Sequence, residues 1–189
     1  GLNPDTDKVL SHSARLFEKV KSYAPALGLY QRISEHHEKL PPDVALGMAR
    51  CLLATKRNDR AQKLFEQLSA RTPKDKEVLL GLAACKRHQR DLDAALALAT
   101  EALAMDPAFM PATHEMAEIL LAKDAFDEAL ALMEKNIFRE DAHADSIDLW
   151  VAQLRQKKRE SYLQQKLEWL VEKFPKKVEF VFAYGITAN

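Results

Sequence analysis

Apolar residues recur along this chain with the spacing of amphipathic helices. Between Lys76 and Pro107 two such patterns are joined by a short polar segment. Within each pattern the apolar positions lie three or four residues apart, which places them on one face of a helix. The segment therefore predicts an antiparallel pair of helices that bury their apolar faces against each other.

Small residues repeat at a fixed interval on either side of this segment. Self-similarity at a period of this length is typical of stacked helix pairs, in which each pair buries its apolar face against its neighbours. Three series advance in steps of 34 residues: Ala49, Ala83 and Ala117; Ala61, Ala95 and Ala129; and Pro73, Pro107, Asp141 and Pro175.

These residues resemble the tetratricopeptide repeat. The family's pattern asks for Leu and a small residue in the first helix of each unit, then Ala, an aromatic residue and a closing Pro in the second. Ala61, Phe65 and Pro73 match the second-helix part. The resemblance covers nearly the whole chain, although Leu replaces some aromatic anchors and Asp141 replaces one closing Pro. It implies an all-α fold, an α-solenoid in which antiparallel helix pairs stack into a right-handed superhelix.

The resemblance also implies a domain organisation. We expect a single tetratricopeptide-repeat domain over residues 1–189, with about five repeats and a terminal helix that is either a cap or half of another repeat. The chain does not begin with Met, so we expect it to be a fragment of a longer protein. The predicted bounds are 7–41, 42–75, 76–109, 110–143 and 144–177 for the repeats and 178–189 for the last helix.

The charge balance narrows the classes of partner. Lys plus Arg and Asp plus Glu number 28 each, so the net charge is zero. A neutral chain is a poor electrostatic binder of nucleic acid or membrane surfaces. An RNA-binding helical repeat is therefore disfavoured, and no apolar run approaches the roughly 20 residues of a membrane-spanning helix. The compartment stays open, with the cytoplasm slightly favoured.

Candidate chemistry is sparse, and we expect no catalytic residue, no cofactor and no metal. His114 and Glu118 are four residues apart on one helix, but a zinc site needs at least one further ligand. Cys51 and Cys85 occupy the same place in successive repeats, so stacked helices would hold them about 8 to 10 Å apart, too far for a disulfide. We interpret both as small buried hydrophobic residues, and we expect the protein not to be an enzyme.

The resemblance implies a binding groove lined by the first helices. Apolar and basic side chains alternate along it, which suits an extended or helical protein segment that carries apolar and acidic side chains. The alternative is that its Arg residues pair with neighbouring carboxylates on a solvated face. The predicted partner-binding residues are Arg15, Leu46, Arg50, Leu53, Leu80, Arg87, His88, His114, Glu118, Leu121 and Arg155.

Two further roles remain open. The chain could be a self-assembly or regulatory module of a larger multidomain protein, such as an enzyme, a signalling regulator or an export machine. The apolar carboxyl-terminal end, with Phe180, Val181 and Phe182, could then pair with its own copy. Trp169 is predicted to face outward, where an exposed Trp would be a candidate anchor for a partner.

Overall fold

The computed structural model describes residues 4–138 and 144–187, apart from the side chains of Pro4, Asp5 and Thr187. Within these two ranges the chain forms eleven helices and no strand. Asp141 and the predicted end of the fourth repeat lie outside the described residues. None of the helices in these ranges is both long enough and apolar enough to cross a membrane. The helices are α1 (Pro4–Lys19), α2 (Tyr23–Ser34), α3 (Pro42–Ala54), α4 (Asn58–Arg71), α5 (Lys76–His88), α6 (Leu92–Met105), α7 (Met110–Ala122), α8 (Phe126–Ile137), α9 (Ala144–Gln156), α10 (Glu160–Lys173) and α11 (Val178–Thr187).

The helices fall into two compact units, Gly1–Pro107 and Ala108–Asn189. In the first, which we call unit 1, α1 packs on α2, α3 on α4 and α5 on α6, and α2 and α4 also contact the pair that follows each of them. In the second, unit 2, α7 packs on α8, α8 contacts α9, and α10 contacts both α9 and α11. This helix-pair packing confirms the predicted all-α solenoid class. The single domain and the repeat bounds stay predictions.

The corner inside each helix pair has the same backbone geometry. The second residue past each first helix is left-handed, with φ between 55° and 66°, although none of these residues is Gly. At one corner the Lys56 amide donates to the Leu53 carbonyl at 3.0 Å and the Arg57 amide donates to the Leu52 carbonyl at 2.8 Å. These two bonds form a Schellman motif, which satisfies the last carbonyls of the helix. The left-handed residues are Lys21, Lys56, Arg90, Asp124 and Lys158.

The repeated alanines lie where helices meet. Both alanine series are fully buried, and Ala14 and Ala26 extend them into the first pair. A methyl side chain lets two helix backbones approach closely, whereas a larger group would hold them apart. The alanines that recur every 34 residues in the sequence therefore mark the positions at which helices approach each other closely. Cys51 and Cys85 are both buried, as predicted, and they are not joined by a disulfide.

Two glycines in unit 1 accept an aromatic ring from the preceding pair. A Cβ atom on Gly81 would overlap the ring of Phe65, and one on Gly47 would overlap the hydroxyl end of Tyr30. Both rings are fully buried or nearly so. Glycine is therefore required at these helical positions for close packing rather than for backbone freedom.

Candidate functional site

The first helices of unit 1 form one continuous layer, because α1 contacts α3 and α3 contacts α5. We call this surface the first-helix face of unit 1. It carries most of the predicted partner-binding residues, and the remainder lie in unit 2 on α7 and α9. The residues on the face are Arg15 on α1, Leu46, Arg50 and Leu53 on α3, and Leu80, Arg87 and His88 on α5.

Arg50 ties the three helices of this face together. Its Nε donates to Oε2 of Glu18 on α1 at 2.9 Å, and its Nη1 donates to Oε2 of Glu77 on α5 at 2.6 Å. Burial would lower the pKa of Arg50, but the hydrogen bond from Glu18 and the charges of Glu18 and Glu77 outweigh burial and raise it. The guanidinium group therefore stays charged and bridges α1, α3 and α5. We call this set of contacts the Arg50 bridge.

Tyr30 extends the Arg50 bridge into the core. Its hydroxyl donates to Oε1 of Glu18 at 2.5 Å, from the second helix α2. Gly47 makes room for the hydroxyl, because any larger residue there would occupy the same space. Burial and the contact with Glu18 raise the pKa of Tyr30 well above its ordinary value. Burial likewise raises the pKa of the neighbouring Cys51 thiol to about 12, so this thiol is unreactive at neutral pH.

Arg15 is paired in a similar way at the start of the face. Its Nη2 donates to Oδ2 of Asp43 at 2.7 Å, and both side chains are more than half exposed. An exposed pair of this kind contributes roughly 0 to 1 kcal/mol. Arg15 and Arg50 thus both pair with neighbouring carboxylates, which was the alternative left open by the sequence. A role for Arg15 or Arg50 in binding a partner stays a prediction.

A cleft of about 460 Å³ lies beside Arg15, between α1 and the start of α3. Its polar lining includes His12 and Ser11 from α1 and His37 from the segment that precedes α3. The His37 ring nitrogen Nε2 lies 2.7 Å from Oδ2 of Asp7. The cleft is open and mixed in charge, so it could accept a polar side chain of a partner.

The apolar and basic residues of the face lie farther along it. Leu46, Leu53 and Leu80 are half-buried, and Leu46 and Leu53 pack against the core of unit 1. Arg87 and His88 stand in the last turn of α5 beside Lys86, whose Nζ lies 3.7 Å from Oδ2 of Asp91. The face therefore combines apolar side chains, neutralised ion pairs and one basic turn.

The predicted residues of unit 2 are arranged differently. His114 and Glu118 lie one turn apart on α7 with 4.0 Å between Nε2 and Oε1. Leu121 is half-buried on the same helix. Arg155 donates through Nη2 to the backbone carbonyl of Ile186 at 3.3 Å. Over residues 4–138 and 144–187, no three His, Cys, Asp or Glu side chains are grouped so that they could hold a metal ion.

Trp169 is exposed on α10, where the sequence placed it. Its ring packs edge-on against Phe138, with 5.5 Å between ring centroids. The Lys173 ammonium lies 4.4 Å from the centroid of the Trp169 ring, a cation–π distance. The exposed Trp169 ring therefore also contacts two side chains of unit 2, Phe138 and Lys173.

Comparison with known proteins establishes the family. The tetratricopeptide repeat profile matches residues 19–85 and 87–145, which together are more than half of the chain. The chain belongs to the tetratricopeptide repeat family. Proteins with this fold are typically non-enzymatic scaffolds. No curated protein sequence matches the chain.

Solved tetratricopeptide structures share the fold at low sequence identity. A thermophilic TPR protein from Thermus thermophilus superposes with a TM-score of 0.76 at 17% identity, covering 96% of this chain and 98% of that one. A mutant of MamA gives a TM-score of 0.57 at 19% identity, covering 83% and 91%. The first TPR domain of human RPAP3 gives 0.55 at 17%, covering 67% and 98%. Identities this low show the shared fold alone.

The contact of Tyr30 with the Arg50 bridge was not predicted from the sequence. Glu18 and Glu77 fall at groove-lining positions, but Tyr30 belongs to a second helix and has the pattern of a core aromatic. The available signal was Gly47, which stands 34 residues before Gly81. A glycine inside a helix pattern marks a close approach, and a hydroxyl on the approaching ring then needs an acceptor.

The raised pKa values of Tyr30 and Cys51 predict that the folded chain loses stability in alkali. The ordinary pKa values of Tyr30 and Cys51 are 10.0 and 9.0, and the fold raises both. The folded chain therefore favours the neutral forms, and this stabilisation is complete below about pH 9 and is lost as the pH rises further. We expect the free energy of unfolding, measured by urea denaturation, to fall between about pH 9 and pH 11.

The variant Tyr30→Phe isolates the contribution of Tyr30 to this alkaline loss of stability. This variant should be about 1 kcal/mol less stable at neutral pH, because Glu18 loses its hydrogen-bond donor, and its alkaline loss should be shallower. Tyr23→Phe on the same helix removes a hydroxyl away from the bridge and serves as the control. Equal alkaline slopes for Tyr30→Phe and the wild type would contradict the assignment.

Proposed function

We propose that this chain holds another protein on the first-helix face of unit 1. The tetratricopeptide fold supports a protein-interaction scaffold in general. The observation that most supports this face is the bridge from Glu18 through Arg50 to Glu77. Because it fastens α1, α3 and α5 side by side, the face is ordered before a partner arrives, and less conformational entropy is lost on binding.

The partner that this face suits is a peptide segment with apolar anchors. Leu46, Leu53 and Leu80 offer half-buried apolar surface between the ion pairs. Acidic side chains of the partner would be attracted to the basic last turn of α5, which carries Arg87 and His88. The segment could be extended or helical, because both forms present side chains along one face.

The predicted residues of unit 2 belong to a separate part of this proposal. His114, Glu118 and Leu121 on α7 and Arg155 on α9 would contact a further portion of the partner. Their contribution is measured independently of unit 1 by testing His114→Ala with the same ligand.

A selected peptide tests the face directly. Peptides from a random display library are selected on the immobilised chain, and the tightest is labelled for fluorescence anisotropy. We expect Leu80→Ala and Arg87→Ala each to weaken its binding by about tenfold, the size of a typical hot-spot loss. Arg50 is a poor probe, since its replacement by Glu would leave it facing Glu18 and Glu77 and would disturb the fold as well.

Matched substitutions on second helices provide the controls. Leu98→Ala on α6 and Arg60→Ala on α4 remove the same groups from elsewhere in unit 1 and should leave the affinity unchanged. Equal weakening by the control variants, or none by Leu80→Ala and Arg87→Ala, would refute the proposed face.

Self-assembly is the second candidate function. Apolar side chains are exposed on α1 and α11, including Val9 and Phe182. Exposed apolar residues that gather on one surface favour contact with another protein surface. The exposed apolar side chains of α11 support association through the carboxyl-terminal helix.

A further inference from the structure

The helix α10 and the corner before it hold a local excess of positive charge. Residues 155–177 carry eight Lys or Arg and three Glu, although the whole chain is neutral. From the corner along α10, basic and aromatic side chains alternate at steps of three and four residues, which places them on one helix face. We call this face the α10 stripe, and it consists of Arg159, Tyr162, Lys166, Trp169 and Lys173.

The α10 stripe lies alongside α8 within unit 2. The Tyr162 hydroxyl donates to Oε1 of Glu134 on α8 at 2.7 Å. The Trp169 ring packs against Phe138, the residue that directly follows α8. The stripe therefore belongs to a surface that two successive helix pairs build together, α7 with α8 and α9 with α10.

Aromatic rings position the two lysines of the α10 stripe. The Lys166 ammonium lies 5.4 Å from the ring centroids of both Phe138 and Tyr162. The Lys173 ammonium lies 4.4 Å from the centroid of the Trp169 ring. These are cation–π distances, at which the ring attracts the ammonium group without neutralising its charge. The rings thus hold both charges in place along α10.

The lysines differ from Arg159 in their ionic partners. Arg159 is already paired, because its Nη2 lies 3.3 Å from Oδ1 of Asp127. Among residues 4–138 and 144–187, no carboxylate forms an ion pair with Lys166 or Lys173. Lys173 is exposed and Lys166 is half-buried. Both ammonium groups can therefore pair with carboxylates of another molecule.

We propose that the α10 stripe binds an acidic amphipathic helix of another protein. Lys166 and Lys173 are seven residues apart, so their Cα atoms are about 10.5 Å apart along the helix axis. A partner helix that carries acidic residues seven apart has the same repeat. In an extended segment, side chains on one face recur at multiples of about 6.6 Å, which does not match. Apolar side chains between the acidic residues would rest on Trp169, which is 41% exposed.

The packing of Trp169 favours a protein helix over a single-stranded nucleic acid. Proteins that bind single strands stack the bases on open aromatic faces. In this chain the Lys173 ammonium lies over the Trp169 ring, and Phe138 packs against the ring edge-on. A stacked base would have to displace Lys173, whereas a carboxylate can pair with it where it stands.

A designed acidic peptide tests the proposal on the whole chain. The probe is a Trp-free peptide of about 18 residues with Glu at every seventh position, Leu midway between, and Ala and Gln elsewhere to favour a helix. We expect it to change the fluorescence of Trp169 with a Kd in the micromolar range. Trp150, the other Trp of the chain, is fully buried, so Trp169→Phe should abolish the change.

Removing the two ammonium groups should weaken this binding. Lys166→Gln combined with Lys173→Gln should raise the Kd about tenfold, and added salt should act in the same direction. Arg60→Gln combined with Lys63→Gln removes the same charge from exposed positions on α4 and is the control, which should bind like the wild type. Both double variants should keep the circular dichroism of the wild type.

Several results would overturn the proposal. These are a wild type that does not bind the peptide, a Kd unchanged by the Lys166 and Lys173 substitutions, and equal weakening in the control. A peptide of the same composition with its Glu and Leu positions shuffled should bind more weakly, and equal binding would contradict the helical match. Tighter binding of a uridine oligonucleotide would identify a nucleic-acid site instead. Leu80→Ala should not affect this binding, so the face of unit 1 keeps its own test.

Discussion

Replacing Ala95 with Arg is expected to unfold or severely loosen the first unit. Ala95 is fully buried on α6, which packs along α5. A guanidinium group has no space at this helix contact. Burying a charge there costs several kcal/mol, which is a large share of the roughly 5 to 15 kcal/mol that stabilises a typical domain.

Thermal unfolding followed by circular dichroism measures this effect. Ala97→Arg makes the same substitution two residues away on an exposed position of α6, and it should melt close to the wild type. Superposable melting curves for Ala95→Arg and Ala97→Arg would mean that the alanine series does not mark the helix contacts.

Replacing Gly81 with Ala is expected to destabilise the chain by about 2 kcal/mol, the usual size for overpacking a core. The added methyl would overlap the ring of Phe65, which is fully buried and has no room to retreat. The gain from replacing a helical Gly, about 0.5 to 1 kcal/mol, is too small to offset this clash.

Gly28 and Phe65 supply the matched tests. No atom lies within 4 Å of a Cβ built on Gly28, so Gly28→Ala should stabilise the chain slightly in urea denaturation. In a Phe65→Leu background the cost of Gly81→Ala should shrink, because the smaller side chain leaves space for the methyl. Equal stability changes for the two glycine variants would contradict the proposed packing.

The repeat period predicted the features that every helix pair shares. Ala61, Ala95 and Ala129 recur at one interval because every pair makes the same close contact, so their burial follows from position alone. Cys51 and Cys85 were assigned to the core for the same reason. These predictions needed no knowledge of any particular neighbour.

Features that depend on a specific neighbour could not be predicted in this way. Arg50 was assigned to the correct face, but its two carboxylate partners are 32 and 27 residues away in sequence. The angle between adjacent first helices decides which acid it reaches, and the repeat pattern does not define that angle. The helical spacing of Leu10, Ala14 and Phe17 predicts one buried face on α1, yet only Leu10 and Ala14 are buried and Phe17 is exposed.

Amide hydrogen exchange with and without a bound, display-selected peptide tests the first-helix face most directly. We predict that exchange slows in α3 and α5 when the peptide binds, because their side chains line the face that it covers. Slowing confined to the second helices α2, α4 and α6 would contradict that placement.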